Sequence, residues 1–195
     1  QGALGDEGLA FYDAIAPIVH RDSLDESVVF EAGRFEEDSD YLNCPMNKAE
    51  YLAFIEALLA GDVREGPDWD AVPYFEGCLP IEVMASRGED TPRFGPMKPI
   101  GLIDPRSGER PYAVVQLRRE DRAGQMWNLV GFQTRLRTGA QKSVFRLIPG
   151  LEQCEFLRWG SIHRNAYLNF PACLTPHGSL KDRPDLIFAG QLTGV

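Results

Sequence analysis

The most regular pattern of apolar and polar positions lies in residues 47–60. Its apolar side chains recur every three or four positions and would share one face of a helix: Tyr51, Leu52, Ile55, Leu58 and Leu59. Asn47 is a favourable N-cap, and Glu50 stands three residues later, where it completes a capping box. Gly61 is typical of the C′ residue that ends a helix. The pattern therefore predicts a helix that packs its apolar face in the core.

Two apolar segments with a short polar one between them predict a β-hairpin in residues 112–132. YAVVQLR and MWNLVGF are rich in β-prone residues, and REDRAGQ between them is polar and contains a glycine. A second helix is predicted over 140–148, where Pro149 and Gly150 would stop it. Short strands are predicted in three other segments: 28–35, 154–159 and 186–189. Because strands and helices are mixed without a regular β–α–β alternation, we expect an α+β fold.

Composition and charge narrow the class of protein. With 44% hydrophobic and 25% charged residues, the chain is typical of globular proteins. No apolar run approaches the roughly 20 residues of a membrane span, so we expect no membrane partner. Residues 1–77 carry 4 basic and 18 acidic side chains, whereas residues 78–195 carry 16 basic and 11 acidic ones. The C-terminal part can therefore offer a positive surface to phosphates.

The four cysteines are the next source of candidate chemistry: Cys44, Cys78, Cys154 and Cys173. They could form two disulfides, but a chain of this length can build a core without them. They form no CxxC pair, and the three histidines make no zinc-ligand spacing with them. We therefore expect free thiols in a reducing cytoplasm and no metal site.

The segment 75–102, FEGCLPIEVMASRGEDTPRFGPMKPIGL, combines a thiol with a flexible cationic loop. Cys78 lies between Gly77 and Pro80, and three cations follow in the loop: Arg87, Arg93 and Lys98. Nearby cations raise the thiolate fraction of a cysteine, and a thiolate can add to an electron-poor ring carbon. The alternative is a buried thiol that only packs, since free cysteine is among the most buried residue types.

A second cluster of polar residues lies in WGSIHRNAYLN, residues 159–169. The imidazole of His163 can donate, accept or stack on a flat ligand, or it can make one structural hydrogen bond. Arg164 can pair with a carboxylate or phosphate, or hold a loop carbonyl. Three polar residues share near-helical spacing on the second predicted helix and would form a solvated or a binding surface: Gln141, Lys142 and Arg146.

Several of these segments resemble the bacterial methylenetetrahydrofolate-dependent tRNA uracil-5-methyltransferases. The similar segments are FYDAIAPIV (11–19), YLNCPMNKAEY (41–51), the segment 75–102, NLVGFQTRL (128–136), QKSVFRLIPGLE (141–152), HRNAYLN (163–169) and FAGQLTGV (188–195). The resemblance implies a Rossmann-like FAD domain that is split in sequence by an insertion domain. It assigns 1–20 to a segment that leaves the flavin domain, 21–140 to a mixed-sheet insertion domain that binds tRNA, and 141–195 to a segment that returns to the flavin domain.

The chain begins without Met and stops in a glycine turn after an apolar strand, and it contains no GxGxxG. We therefore expect a truncated portion of a longer protein, whose FAD-binding portion would be its partner. In the family, reduced flavin passes a methylene group from methylenetetrahydrofolate to carbon 5 of a T-loop uridine, with reducing equivalents from NAD(P)H. We expect the isolated chain to lack this activity.

The resemblance also implies roles for individual residues. Cys78 would attack carbon 6 of the uracil. The residues near flavin and folate would be His163, Arg164 and Asn165. The flavin-contacting turn would contain Gly190, Gln191, Thr193 and Gly194. On charge alone, the contacts to tRNA phosphates in the T-arm would come from Arg87, Arg93, Lys98 and Lys142. Two alternatives stay open: a non-catalytic RNA-binding module, or a fragment of the related flavoenzyme that modifies the wobble uridine.

Overall fold

The computed structural model describes residues 9–34, 40–64, 79–167, 173–188 and 190. For residues 9–13 and 163–167 it describes the backbone alone. Within these ranges the chain mixes helices with antiparallel strands, which confirms the α+β class. No helix in the described part of the chain is long and apolar enough to cross a membrane.

The elements are numbered in chain order. The helices are α1 (Lys48–Ala60), α2 (Ile81–Ser86), α3 (Thr91–Phe94) and α4 (Thr138–Phe145), with a 3-10 turn at Arg21–Ser23. The strands are β1 (Leu9–Ile15), β2 (Ile18–His20), β3 (Phe30–Glu31), β4 (Tyr41–Met46), β5 (Ala113–Arg119), β6 (Met126–Leu129), β7 (Phe156–Arg158), β8 (Ser161–Tyr167), β9 (Ser179–Leu180) and β10 (Arg183–Ile187).

Two compact units are present. The larger holds the described residues between Ala14 and Ile162, and the smaller holds most of β1 and β8 together with β9 and β10. In the smaller unit β1 pairs with β8, and β9 pairs with β10. The three predicted domains, 1–20, 21–140 and 141–195, remain predictions.

The larger unit is built on a six-stranded sheet in the order β3-β4-β5-β6-β2-β7. The predicted hairpin is confirmed, since β5 and β6 pair antiparallel with Leu117 opposite Leu129. Helices α1 and α4 contact each other, and an aromatic ring from each packs against Phe132 in the core. The ring of Phe132 lies 6.0 Å from that of Phe54 and 5.8 Å from that of Phe145. The core therefore joins both helices to the segment that follows β6.

Helix α1 forms as its sequence predicts, with one correction to its apolar face. The capping box is present: Asn47 Oδ1 accepts from the Glu50 N–H at 3.0 Å, and Glu50 Oε2 accepts from the Asn47 N–H at 2.7 Å. Leu59, predicted in the core, is 49% exposed, whereas Phe54 is fully buried. A C′ glycine usually adopts the left-handed conformation, but Gly61 has φ −66°. The helix ends there as predicted, whereas the predicted reason for glycine is wrong.

A close contact explains Gly61 instead. A Cβ at this position would lie 2.5 Å from Leu136 Cδ2, far inside van der Waals contact. Glycine therefore lets the end of α1 approach the segment before α4. Helix α4 itself begins at Thr138 and ends at Phe145, earlier at both ends than the predicted 140–148.

Strand β4 was not predicted from the sequence, and it contains a proline, Pro45. The Val114 N–H, opposite Pro45, donates to Met97 O rather than to β4. Pro45 and Val114 are therefore a pair without mutual hydrogen bonds, and the N–H that proline lacks is not needed by β5. On the other side, β3 pairs with β4 at Leu42 and Asn43 alone among the described residues. Proline therefore sits where no ladder bond is lost.

Candidate functional site

The predicted site residues fall into three groups. Cys78, Gln191, Thr193 and Gly194 lie outside the described residues. His163, Arg164 and Asn165 lie on β8, where the backbone alone is described. Gly190 and the four cations predicted to contact RNA are described.

The turn at Gly190 needs glycine for its backbone conformation. Its φ is +80°, in the left-handed region that glycine adopts without steric strain. A Cβ there would meet no atom of the described residues within 4 Å, so the reason for glycine is its backbone conformation.

Helix α2, which follows Cys78 in the sequence, is fastened at its start by a buried carboxylate. The Ile81 N–H donates to Gln133 O at 2.8 Å. Glu82 is 5% exposed, and it accepts from Thr134 Oγ1 at 2.9 Å and from the Arg135 N–H at 2.8 Å. A buried carboxylate needs such donors to offset its lost hydration. The segment after Cys78 is therefore tied to residues 133–135.

Beyond α2, one cation lies between two aromatic rings. The guanidinium carbon of Arg93 lies 4.0 Å from the ring centroid of Tyr112 and 5.9 Å from that of Phe94. Arg93 Nε donates to Tyr112 O at 2.7 Å. Behind this layer, the ring of Tyr51 meets Tyr112 edge-on at 5.5 Å. Packing thus fixes the orientation of Arg93, whereas Arg87 and Lys98 are exposed.

The loop 95–102 is fixed at both ends by buried side chains. Met97 and Leu102 are fully buried. The Met97 N–H donates to Pro92 O at 2.9 Å, and Met97 O accepts from the Val114 N–H at 3.0 Å. At Gly101, with φ +80°, a Cβ would lie 2.7 Å from Arg34 O. The backbone of this loop is therefore held in one path, close to Arg34.

Arg34 joins this loop to the sheet. Its Nη1 donates to Lys98 O at 2.7 Å and to Ile100 O at 2.8 Å, and its Nε donates to Gln116 Oε1 at 2.8 Å. Gln116 Nε2 in turn donates to Asn43 Oδ1 at 3.0 Å. Partial burial lowers the pKa of Arg34 from its ordinary value, although arginine is not deprotonated in proteins. A buried polar network therefore shapes the outer loop.

Between these elements lies a cleft of about 510 Å³, here named the Phe94 cleft. Its walls include three cations, two aromatic rings and one aliphatic side chain: Arg93, Lys98, Arg110, Phe94, Tyr112 and Ile100. Phe94 is 76% exposed and Ile100 is 55% exposed. Sequence reasoning selected Arg93 and Lys98 but missed the rings and Arg110. The adjacent Arg93 and Phe94 in a Gly- and Pro-rich loop were the available signal.

Helix α4 corrects one sequence expectation. Gln141 does not share an exposed surface with Lys142, because Gln141 is buried and Lys142 is exposed. Gln141 Nε2 donates to Leu136 O at 2.7 Å and to Gly160 O at 2.8 Å, and its Oε1 accepts from the Gly160 N–H at 2.8 Å. Arg146 turns inward to donate to Cys154 O at 2.9 Å. Of the three residues, Lys142 alone is open to an RNA phosphate.

The cysteines in the described ranges are free thiols. Cys44 and Cys154 are buried, and Cys173 is half-buried. Burial raises the pKa of the Cys154 thiol to about 11, and it raises the pKa of Cys44 further. Neither buried thiol is therefore a nucleophile at neutral pH. Among the described residues, no group of His, Cys, Asp and Glu is arranged to hold a metal ion.

Comparison with known proteins gives a consistent result. The sequence model of the family described as glucose inhibited division protein A matches residues 1–195. The methylenetetrahydrofolate--tRNA-(uracil-5-)-methyltransferase TrmFO of Heliobacterium modesticaldum is 55% identical over 196 residues, which cover 100% of this chain and 45% of that protein. The protein of the same name from Carboxydothermus hydrogenoformans is 58% identical over 191 residues, 98% of this chain and 44% of that protein. The chain thus spans somewhat less than half the length of these curated relatives.

Among solved structures, Aquifex aeolicus GidA in its form II crystal aligns with a TM-score of 0.58 at 17% identity. The alignment covers 96% of this chain and 29% of that one. At this identity the likeness shows the fold alone.

Proposed function

Because the chain belongs to the glucose inhibited division protein A family and its curated relatives carry the name of one enzyme, we propose that it is part of a folate- and flavin-dependent tRNA methyltransferase. The product would be 5-methyluridine in the T-loop of tRNA. The observation that carries this proposal is 55% identity across the whole chain. The family match confirms the resemblance seen in the sequence segments.

Cys78 is the proposed nucleophile. Its thiolate adds to carbon 6 of the uracil, which forms a carbon–sulfur bond and moves an electron pair toward carbon 5. Carbon 5 would then bond to the methylene carbon that the bound cofactors supply, as the bond from that carbon to its nitrogen carrier breaks; loss of the carbon 5 proton and departure of the thiolate would restore the ring. In this role Cys78 would precede a fixed helix, because the buried carboxylate of Glu82 holds α2, which begins three residues later.

Bound FAD, methylenetetrahydrofolate and NAD(P)H would supply the one-carbon unit and the electrons that reduce it. The residues of this chain that would lie near FAD and folate are His163, Arg164, Asn165, Gly190, Gln191, Thr193 and Gly194. The left-handed backbone of Gly190 fits a turn that presents its backbone to a cofactor. The chain contains no GxGxxG, so the main phosphate site of FAD would belong to the part of the relatives that this chain does not match.

The test uses a chimaera in which this chain replaces the matching segment of the Heliobacterium modesticaldum relative. The chimaera should transfer a methyl group to tRNA, and Cys78→Ala should lower the rate more than about a hundredfold, because loss of a nucleophile removes the covalent route. Cys173→Ala is the matched control, since Cys173 is a free thiol elsewhere in the chain. Turnover by Cys78→Ala within twofold of the parent would reject the nucleophile assignment.

A second candidate, a non-catalytic RNA-binding module, is favoured by two observations. The Phe94 cleft gathers three cations, and the sequence lacks the dinucleotide fingerprint. A chimaera that binds FAD and tRNA but transfers no methyl group would favour this candidate.

A further inference from the structure

We propose that the Phe94 cleft binds one unpaired nucleotide of an RNA strand. The base would stack on the ring of Phe94, and the flanking phosphates would contact Lys98 and Arg110. This inference rests on the proposed function, because it takes tRNA as the substrate. It adds the place on this chain that recognises a nucleotide other than the reacting uridine.

The exposure of Phe94 is the first observation. The loop 95–102 buries Met97 and Leu102 completely, so its path is already fixed by the core. Phe94, at the end of α3 just before this loop, is 76% exposed, and Ile100 within the loop is 55% exposed. Both line the same cleft, and exposed apolar side chains that lie together are typical of a binding surface.

The sign of the charge is the second observation. The described residues that line the Phe94 cleft include Arg93, Lys98 and Arg110 but no carboxylate. Asp90 lies close by, but its Oδ1 accepts from the Tyr112 hydroxyl at 3.3 Å. This cleft therefore favours an anion, as a nucleic-acid backbone requires.

A second cleft in the same unit provides a comparison. It has a volume of about 630 Å³ and is lined by the carboxylates of Glu50, Asp104, Glu109 and Glu152 as well as by cations. There the guanidinium of Arg106 is already paired with Asp104 at 2.8 Å. Arg110 lines both clefts, but only the larger one carries carboxylates in its described lining, so the net charge of the Phe94 lining is the more positive.

The arrangement of the aromatic rings is the third observation. Arg93 lies 4.0 Å from the ring centroid of Tyr112 and 5.9 Å from that of Phe94, and Phe94 is the more exposed of the two rings. Proteins bind single-stranded nucleic acid by stacking bases on aromatic side chains beside a positive groove. A paired base cannot reach such a ring, because its faces are covered by its neighbours in the helix. The geometry therefore selects an unpaired nucleotide, as in a hairpin loop, over a duplex.

The experiment measures binding of the full 195-residue chain to two labelled RNAs by fluorescence anisotropy. One is a T-arm hairpin, and the other is a blunt duplex with the sequence of its stem. Phe94→Ala should weaken hairpin binding roughly fivefold to a hundredfold and leave duplex binding unchanged, since one base stack is lost. Phe94→Trp should restore hairpin affinity because it keeps a ring. Leu59→Ala is the matched control, a partly exposed apolar side chain on α1.

The cations are tested through salt dependence. Arg110→Gln should lower the slope of log affinity against log salt by about 0.7, the value for one phosphate contact to a single strand. Arg122→Gln, an exposed arginine in the β5–β6 turn, should leave the slope unchanged. Equal thermal midpoints for Phe94→Ala and Leu59→Ala would show that the variants are folded.

Three results would overturn the inference. The first is no hairpin binding by the unaltered chain, and the second is hairpin affinity of Phe94→Ala within twofold of the parent. The third is self-association, seen by sedimentation, that Phe94→Ala abolishes without changing RNA affinity; the cleft would then be an interface between copies of the chain.

Failure of the inference and failure of the proposed function can be told apart. Unchanged hairpin binding by Phe94→Ala together with an active chimaera would reject the inference alone. Weakened binding together with an inactive, folded chimaera would reject the methyltransferase alone.

Discussion

Arg34→Ala should lower the free energy of unfolding by about 2 kcal/mol. The main loss is at Gln116, which is 8% exposed and would keep an unpaired Oε1. An unsatisfied buried acceptor costs about 1–3 kcal/mol. The carbonyls of Lys98 and Ile100 add little, because water replaces Arg34 at these exposed positions.

Urea unfolding measures this loss. With an m value of about 2 kcal/mol/M, the midpoint should fall by about 1 M while m itself stays constant. The urea midpoint of Arg34→Lys should lie between those of the parent and the alanine variant, since one ammonium cannot reproduce the planar set of donors of a guanidinium. Hydrogen exchange adds a local measurement: the Val114 N–H, which donates to Met97 O, should exchange faster when the loop opens.

Arg122→Ala is the control for the general effect of losing an arginine. It should change stability by less than about 0.5 kcal/mol, because Arg122 is exposed in a turn. If Arg34→Ala lowers the free energy of unfolding no more than Arg122→Ala does, the reasoning is refuted. The buried network would then not depend on the guanidinium of Arg34.

Two further predictions concern buried groups. Glu82→Ala should lower the free energy of unfolding by about 2–3 kcal/mol in urea, because the Thr134 hydroxyl and the Arg135 N–H lose their acceptor; a loss below 0.5 kcal/mol would contradict the assigned role. Burial raises the pKa of Cys154 from 9.0 to about 11, so the unfolded chain releases this proton first. The contribution of Cys154 to stability should be complete below pH 9 and be lost as the pH rises toward 11. In urea titrations, the free energy of unfolding of Cys154→Ala should fall less than that of the parent as the pH rises from 9 to 11. An unchanged pH dependence would contradict this assignment to Cys154.

The sequence predicts those elements whose signals are local. The capping box of α1 and the hairpin of β5 and β6 involve residues close together in the chain, so composition and spacing suffice. Gly61 shows the limit of such reasoning. The helix end was predicted correctly, but glycine is required by a side chain, Leu136, that spacing cannot bring near. Strand β4 was missed, and the tolerance of Pro45 in it depends on its register with β5, where Pro45 stands opposite Val114 in a pair without mutual hydrogen bonds.

The Phe94 cleft was beyond prediction for a related reason. Arg93, Phe94 and Lys98 are close together in sequence, but the backbone of the loop that carries Lys98 and Ile100 is bonded by Arg34, which is 64 positions from Lys98. Sequence gives the residue types, whereas the long-range hydrogen bonds decide which side chains remain outside. The same holds for Gln141, whose polar side chain and helical spacing favoured solvent and whose burial depends on Gly160.

The amide of Gln141 has a mechanical consequence. One side chain joins the backbone just before α4 to the backbone just before β8, through Leu136 and Gly160. A displacement at either segment must stretch or break bonds at the other, so the two respond to stress together. Substitutions that reposition α4 will for that reason alter the entry to the strand that carries the His-Arg-Asn triplet, even when they touch none of its residues.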